Sequence, residues 1–343
     1  MEPVSSKQSV QDQFSRPLTD LRISLTDHCN FRCTYCMPKE TFGSDFAFLP
    51  KSTLLNNEEL VRLATMFAQL GVRKIRLTGG ESLLRPHLPE LVGQLANISG
   101  IEDISLTTNG SLLTLDKAKQ LQQSGLQRIN ISLDALHNDT FQQLNDVHFH
   151  VEAVLAAIAA ASEAHLDPVK VNMVVIKGIN DQEIADIADH FRGTGVTVRF
   201  IEYMDVGNSN GWHMDQVFTA KDIFTTIHSK WPLQAATPLR FGDVATRYVY
   251  QDGQGEIGII SSITQPFCKS CTRVRLSADG QLFKCLFAAE GIDLRHLLRN
   301  GATDETIIDK IASVWSLRDD RYSELRSTQT TQKTKVEMSH IGG

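Results

Sequence analysis

Between residue 21 and about residue 204 the chain alternates two hydrophobic periods. Runs of period two, LRISLT from 21, KIRLTG from 74, DISLTTN from 103, RINISLD from 128, VKVNMVVIK from 169 and VRFIEYM from 198, read as strands. Stretches of period 3.6 near 57–70, 86–98, 116–124, 151–164 and 181–192 lie between them and read as helices. Six strands of this βα type predict a parallel sheet with right-handed crossovers, either doubly wound or curled into part of a barrel.

The parity of the polar residues chooses between these, because alternate residues of a strand share a face. Arg22, Ser24 and Thr26 share one face. The same holds for Lys74, Arg76 and Thr78, for Ser105, Thr107 and Asn109, for Asn130, Ser132 and Asp134, and for Lys170 and Asn172. The intervening positions, such as Ile75 and Leu77 or Ile129, Ile131 and Leu133, are apolar. A sheet covered by helices on both faces is apolar on both. The expected fold is therefore α/β, an incomplete (β/α)6 TIM-type barrel whose lumen stays open for a polar ligand.

Past residue 205 the rhythm breaks. DVGNSNGW reads as a loop, KDIFTTIHSKW as a short helix and RYVYQDGQGEIGIIS as a hairpin with glycine-rich turn chemistry. TRVRL, read as a strand, puts Arg273 and Arg275 on one face, and two helices then lead to the polar tail STQTTQKTKVEMSHIGG. The expected organisation is a barrel over 17–204, a C-terminal α+β extension over 205–327 that closes it, and a tail over 328–343 ending in Gly342 and Gly343.

Composition narrows the class. With 343 residues, 41% hydrophobic and 22% charged, the chain has ample length for a large core. A net charge of -6 argues against a general nucleic-acid surface. The longest apolar run, AVLAAIAAA, is far too short for a membrane span, and MEPVSSKQSVQDQFS has no apolar leader core, so the expected location is the cytoplasm. No GxxxxGK[ST] is present, which removes P-loop hydrolysis, and the histidines show no metal-ligand spacing.

The six cysteines fall into two triplets, Cys29, Cys33 and Cys36, then Cys268, Cys271 and Cys285. Tight spacing in a large chain favours metal ligation over disulfides. A structural zinc ion takes four ligands, so zinc needs a distant fourth residue at either triplet. A cubane iron–sulfur cluster on three thiolates keeps one iron open to a small ligand.

CxxxCxxC directly after the first strand, with Tyr35 before the last cysteine, resembles the signature of radical S-adenosylmethionine enzymes. The resemblance implies that the amine and carboxylate of S-adenosylmethionine occupy the open iron and that one electron cleaves the cofactor to a 5′-deoxyadenosyl radical. LTGGESLLR, after the second strand, is similar to the family's GGEP segment, with Ser82 where proline is usual.

FCKSCTRVRLSADGQLFKC has three thiols and no fourth, which predicts a second open cluster. Arg22, Arg76, Lys170, Arg273 and Arg275, with Lys74 and Arg199 as further members, gather cations on interior parity in an acidic protein. Buried charge without a partner is costly, so such a set calls for an anion, and guanidinium forks fit phosphate oxygens.

Taken in order, DLRISLTDHCNFRCTYCMP, RLTGGE, LTTNG, RINISLDAL, VKVNMVV, RFIEYMDVG, the second triplet with TRVRLSADG and the terminal GG resemble the GTP 3′,8-cyclases of molybdenum cofactor biosynthesis, over residues 17 to 343. The resemblance implies a lyase with two [4Fe-4S] clusters, one on Cys29, Cys33 and Cys36 and one on Cys268, Cys271 and Cys285. It assigns Tyr35, Gly80, Ser132 and Met204 to S-adenosylmethionine, and Arg22, Arg76, Thr107, Lys170, Arg273 and Arg275 to GTP. The family reaction removes hydrogen from C3′ of the ribose, joins C3′ to C8 of guanine and needs no dominant side-chain acid or base. The implied partners are GTP, an electron donor, the next pathway enzyme (cyclic pyranopterin monophosphate synthase) and a second copy of the chain in a homodimer. The family's glycine tail enters the active site. The competing reading is another radical S-adenosylmethionine enzyme with an auxiliary cluster, such as a peptide-modifying one.

Overall fold

Six strands with one apolar and one polar face, each followed by helix, need a helix layer over the apolar side, and the structure supplies it. The structure is a computed structural model that describes residues 9–326 and 334–342. In chain order the βα strands are β1 (Asp20–Ser24), β2 (Lys74–Thr78), β3 (Asp103–Thr108), β4 (Arg128–Ser132), β5 (Lys170–Val175) and β6 (Thr197–Glu202). All five neighbouring pairs among them are parallel. The covering helices include α1 (Asn57–Gln69), α2 (Leu88–Ala96), α3 (Leu115–Gln123), α4 (Asn138–Asn145), α5 (Val151–Glu163) and α6 (Ile184–Phe191). The core lies between strands and helices, where Leu21, Ile23, Leu77, Leu106, Ile129, Ile131, Val171 and Phe200 meet Leu63, Phe67, Leu91 and Leu121.

The chain after residue 205 adds α7 (Ala220–His228), β7 (Leu233–Ala236), the hairpin β8 (Thr246–Tyr250) and β9 (Glu256–Ile260), then β10 (Arg273–Leu276), β11 (Gln281–Phe283) and β12 (Ile292–Asp293). Two helices follow, α8 (Leu294–Arg299) and α9 (Asp304–Ser316). The late strands do not form a separate sheet. β9 adds in parallel to β6, and β10 adds in parallel to β1, so the C-terminal region extends both edges of the barrel sheet. The sheet of the described residues runs β12-β11-β10-β1-β2-β3-β4-β5-β6-β9-β8-β7 and does not close.

Four elements depart from the sequence pattern. α4 contributes only Phe141, Leu144 and Asn145 to the interior, too few positions for a recognisable period. β7 buries only Leu233 fully, and β12 is two residues long. The stretch expected as one helix over 181–192 begins as a 3-10 turn over Asp181–Glu183, where Asp181 accepts from the Gly178 amide at 2.6 Å.

Candidate active site

The polar face of β1 to β6 lines one cavity of about 300 Å³, and both cysteine triplets open onto it. The first triplet sits on the loop after β1. Its backbone rests on α4: the Arg32 and Thr34 amides donate to the carbonyls of Asn145 and Leu144, each at 3.0 Å. The Arg32 guanidinium ties the loop further, donating to the carbonyls of Phe42, Cys29 and Phe31 at 2.7 to 2.8 Å. Burial pushes the Cys29 thiol up to about 11. Burial, then the neighbouring thiols, push Cys33 and Cys36 up as well. Three crowded thiols that resist ionising together are stabilised as thiolates by a cationic centre, and a three-thiolate iron cluster has that chemistry.

The GGE turn after β2 is held from below. Buried Glu81 accepts from the Leu83 amide at 2.9 Å, from Thr108 Oγ1 at 2.6 Å and from the Asn109 amide at 2.7 Å. Gly80 lies so close to the first-triplet loop that a Cβ would stand 2.1 Å from the His28 carbonyl oxygen. Only glycine fits there. Ser82, in the position of the expected proline, donates its hydroxyl to the Thr107 carbonyl at 2.8 Å and so ties the turn to β3. Tyr35, Gly80, Ser132 and Met204 all line the cavity beside these loops. The Tyr35 hydroxyl donates at 2.7 Å to Asp134, a carboxyl that burial raises to about 6.

Strand register builds the cation set. Arg22 pairs across with Arg76 on β2 and with Arg275 on β10, and Asp20 with Lys74 and Arg273. Three arginines therefore stand abreast. Among the described residues, Arg22, Arg76, Lys170, Arg199, Arg273 and Arg275 make no ion pair, although other arginines of the chain do. Burial, then Arg275 and Arg76, hold the Arg22 guanidinium well below its ordinary value. Burial, then Arg128, lowers Arg76 to about 10, and burial, then Arg273, lowers Arg275 to about 9. Burial, then Arg199, lowers Lys170 to about 7. Lys170 is set back from the residues lining the cavity, whereas Arg199, a secondary member of the sequence set, lines it with Arg22, Arg76, Thr107, Arg273 and Arg275. Repelling cations of this kind await a polyanion.

The second triplet faces the same space across Arg273 and Arg275. Burial opposes the Cys271 thiolate, but Arg273 and Arg318 bring it down to about 6, and Arg318 Nη2 donates to its sulfur at 3.2 Å. Burial pushes Cys285 up to about 11. None of the six cysteines forms a disulfide. Three cysteines opening onto one cavity, with Arg318 donating to the Cys271 sulfur and the Cys285 thiol held up by burial, fit a second three-thiolate cluster. The tail also arrives here: Gly342 accepts a hydrogen bond from Arg275 through its carbonyl, and a Cβ on it would lie 2.3 Å from Thr78. Gly343 lies outside the described residues.

The model of the Radical SAM superfamily matches residues 23–191, and that of Molybdenum Cofactor Synthesis C matches residues 196–324. The chain is 48% identical to the GTP 3′,8-cyclase of Staphylococcus epidermidis over 98% of its length and all of that protein. It is 48% identical to the GTP 3′,8-cyclase of Acidothermus cellulolyticus over 98% of its length and 99% of that protein. The chain belongs to the GTP 3′,8-cyclase family. Its fold is shared by Streptococcus suis SuiB bound to S-adenosylmethionine, with a TM-score of 0.60 at 14% identity over 91% of this chain and 68% of that one. A second neighbour, anSMEcpe with bound AdoMet, has a TM-score of 0.51 at 16% identity over 63% of this chain and 58% of that one. For a GTP 3′,8-cyclase family member, the residues that sequence patterns had not singled out are Arg32 and Arg318. Arg32 holds a loop and Arg318 a sulfur, roles that no local motif announces. No helix of the described residues is long and apolar enough to cross a membrane.

Proposed function

We infer that this chain converts GTP to (8S)-3′,8-cyclo-7,8-dihydroguanosine 5′-triphosphate, the first step of molybdenum cofactor biosynthesis and a lyase reaction. The observation that carries the reading is the row Arg76, Arg22 and Arg275, without ion-pair partners among the described residues, between two cysteine triplets in one cavity. Cys29, Cys33 and Cys36 would hold one [4Fe-4S] cluster, and Cys268, Cys271 and Cys285 a second. With S-adenosylmethionine bound, the first cluster supplies a 5′-deoxyadenosyl radical.

The chain's own residues place the reactants. Tyr35, Gly80, Ser132 and Met204 cradle S-adenosylmethionine at the loop end of the lumen. Arg22, Arg76, Arg273 and Arg275 anchor the triphosphate, Lys170 adds its charge from behind the lining, Thr107 adds a hydroxyl, and Arg199 extends the cation set. Fixed phosphates fix the ribose, and proximity of C3′ to the radical carbon and to C8 accounts for most of the rate. In this reading residues 17–204 form the barrel, 205–327 add strands to both of its edges and 328–343 bring the glycine tail inside. An electron donor, cyclic pyranopterin monophosphate synthase and a second copy of the chain are the proposed partners, in the cytoplasm.

The test is anaerobic incubation of the iron-reconstituted chain with GTP, S-adenosylmethionine and a reductant, followed by nucleotide mass analysis. Expected is 5′-deoxyadenosine formed only with GTP, alongside a cyclised nucleotide. Arg273→Ala or Arg275→Ala should lower cyclisation with iron retained; no GTP-dependent product from the unaltered chain overturns the reading.

A further inference from the structure

Asp205 stands in the loop that follows β6, next to Met204, and is 4% exposed. One of its oxygens accepts from Arg326 Nε at 3.0 Å. The other accepts from the Tyr322 hydroxyl at 2.6 Å and from Lys335 Nζ at 2.9 Å. Lys335 Nζ also donates to the Asp205 carbonyl at 2.7 Å. Arg326 and Lys335 lie on either side of residues 327–333, so a single carboxylate ties the chain before that stretch to the chain after it. The lysine is itself buried and lies over the stacked rings of Phe287 and Tyr322, whose centroids are 4.3 Å apart.

The rest of the same loop continues the clamp. Asn208 Oδ1 accepts from the Lys335 amide at 2.9 Å. Glu337 accepts from the Asn208 amide and from the Ser209 hydroxyl, each at 3.0 Å. Val336 donates to the Ala288 carbonyl at 2.9 Å. Beyond the clamp there is one helical turn, Met338–Ile341, with Met338 lining the cavity, and then Gly342 on Thr78 and Arg275. Few residues separate the clamp from the substrate cavity, so the clamp fixes where the tail's carbonyl meets Arg275.

We propose that Asp205 is the positioning residue that seats the C-terminal tail in the GTP cavity, acting through Lys335 and touching no reactant itself. Removing its charge leaves buried Lys335 and partly buried Arg326 side by side with no counter-charge among the described residues, and the nearest relief is for the tail carrying Lys335 to move out into water. Arg275 then loses the carbonyl that orients it, and GTP is held without the aim that cyclisation needs. The expected kinetic effect rests on the reading given under Proposed function; the tail's own attachment does not.

Two variants, Asp205→Asn and Lys335→Met, test this in the iron-reconstituted full chain. Hydrogen exchange reads the tail directly, because the amides of Lys335, Val336, Ile341 and Gly342 are all hydrogen-bonded. Expected in both variants are exchange at these amides at least tenfold faster, kcat for GTP cyclisation at least tenfold lower, and KM for S-adenosylmethionine, iron content and cluster absorbance unchanged. The double variant should be no worse than the weaker single one, because both break one contact. Unchanged exchange in Lys335→Met, additive losses, or a released tail with full turnover each overturn the proposal. Loss of iron in both variants also overturns it by making the contact structural. Absence of turnover in the unaltered chain would defeat the functional reading alone, leaving the exchange result to decide the role of Asp205.

Discussion

At the scale of single residues, the cation row makes substrate binding proton-linked. In the free protein burial, then Arg199, lowers Lys170 from its ordinary value of 10.5 to about 7. A triphosphate favours the ammonium, so GTP binding above pH 7 draws in a proton and the affinity falls as pH rises, approaching about tenfold per unit. Calorimetry in two buffers of different ionisation heat measures that uptake, and Lys170→Gln should abolish it; undiminished uptake in the variant would sink the assignment. The serine in the GGE turn gives a second case. A proline stiffens a turn by fixing one dihedral angle, whereas Ser82 fastens it through its hydroxyl to the Thr107 carbonyl. Ser82→Ala leaves that buried carbonyl with one partner fewer and should cost about 1 kcal/mol, read as a lower denaturant midpoint.

At the scale of elements, the N-terminal segment explains how the second triplet is held. Asp12 receives Arg16 at 2.5 Å and Arg318 at 3.3 Å, with all three side chains nearly inaccessible to solvent. Arg16 then donates to the Cys268 carbonyl at 2.8 Å and Arg318 to the Cys271 carbonyl at 2.9 Å. Asp12→Ala strands the Arg16 guanidinium in the interior and leaves Arg318 with Asp320 alone at 3.9 Å, a loss of about 3–5 kcal/mol. The reconstituted variant should keep the iron of the first triplet and lose that of the second; equal loss from both would show general unfolding instead. Much of this architecture was legible beforehand. The six barrel strands announce themselves because Ile75 and Leu77 alternate with Arg76, and Ile129 and Ile131 with Asn130, so period and parity give both the strand and its wet face. α4 was hidden because its inward positions are few, although the first cysteine loop rests on it. The placement of β9 and β10 at opposite edges was equally hidden, since pairing between distant strands leaves no mark in a local period. Cysteines and arginines showed through by type and spacing. Asp205 did not, because its chemistry exists only where it meets Tyr322, 117 positions on, and Lys335, 130 positions on.

At the scale of the whole molecule, the barrel is not a self-sufficient unit. β1 and β6 would be bare edges if the chain stopped after residue 204, and exposed parallel edges with apolar neighbours associate with other chains. A fragment of residues 9–204 should therefore run as aggregate on gel filtration at concentrations where the full chain does not; a stable monomeric fragment would contradict this. The two edge additions also bear on the order of events during synthesis. The β1–β10 junction is tied by Thr272 and Asp20, 252 positions apart, and that contact waits until most of the polypeptide has emerged. The first three thiols leave the ribosome well before the strand and tail that wall them in. On the proposed cluster ligation, iron delivered to a nascent chain would meet an open trough. On the proposed role of Asp205, iron delivered after release would enter before the clamp draws the tail across.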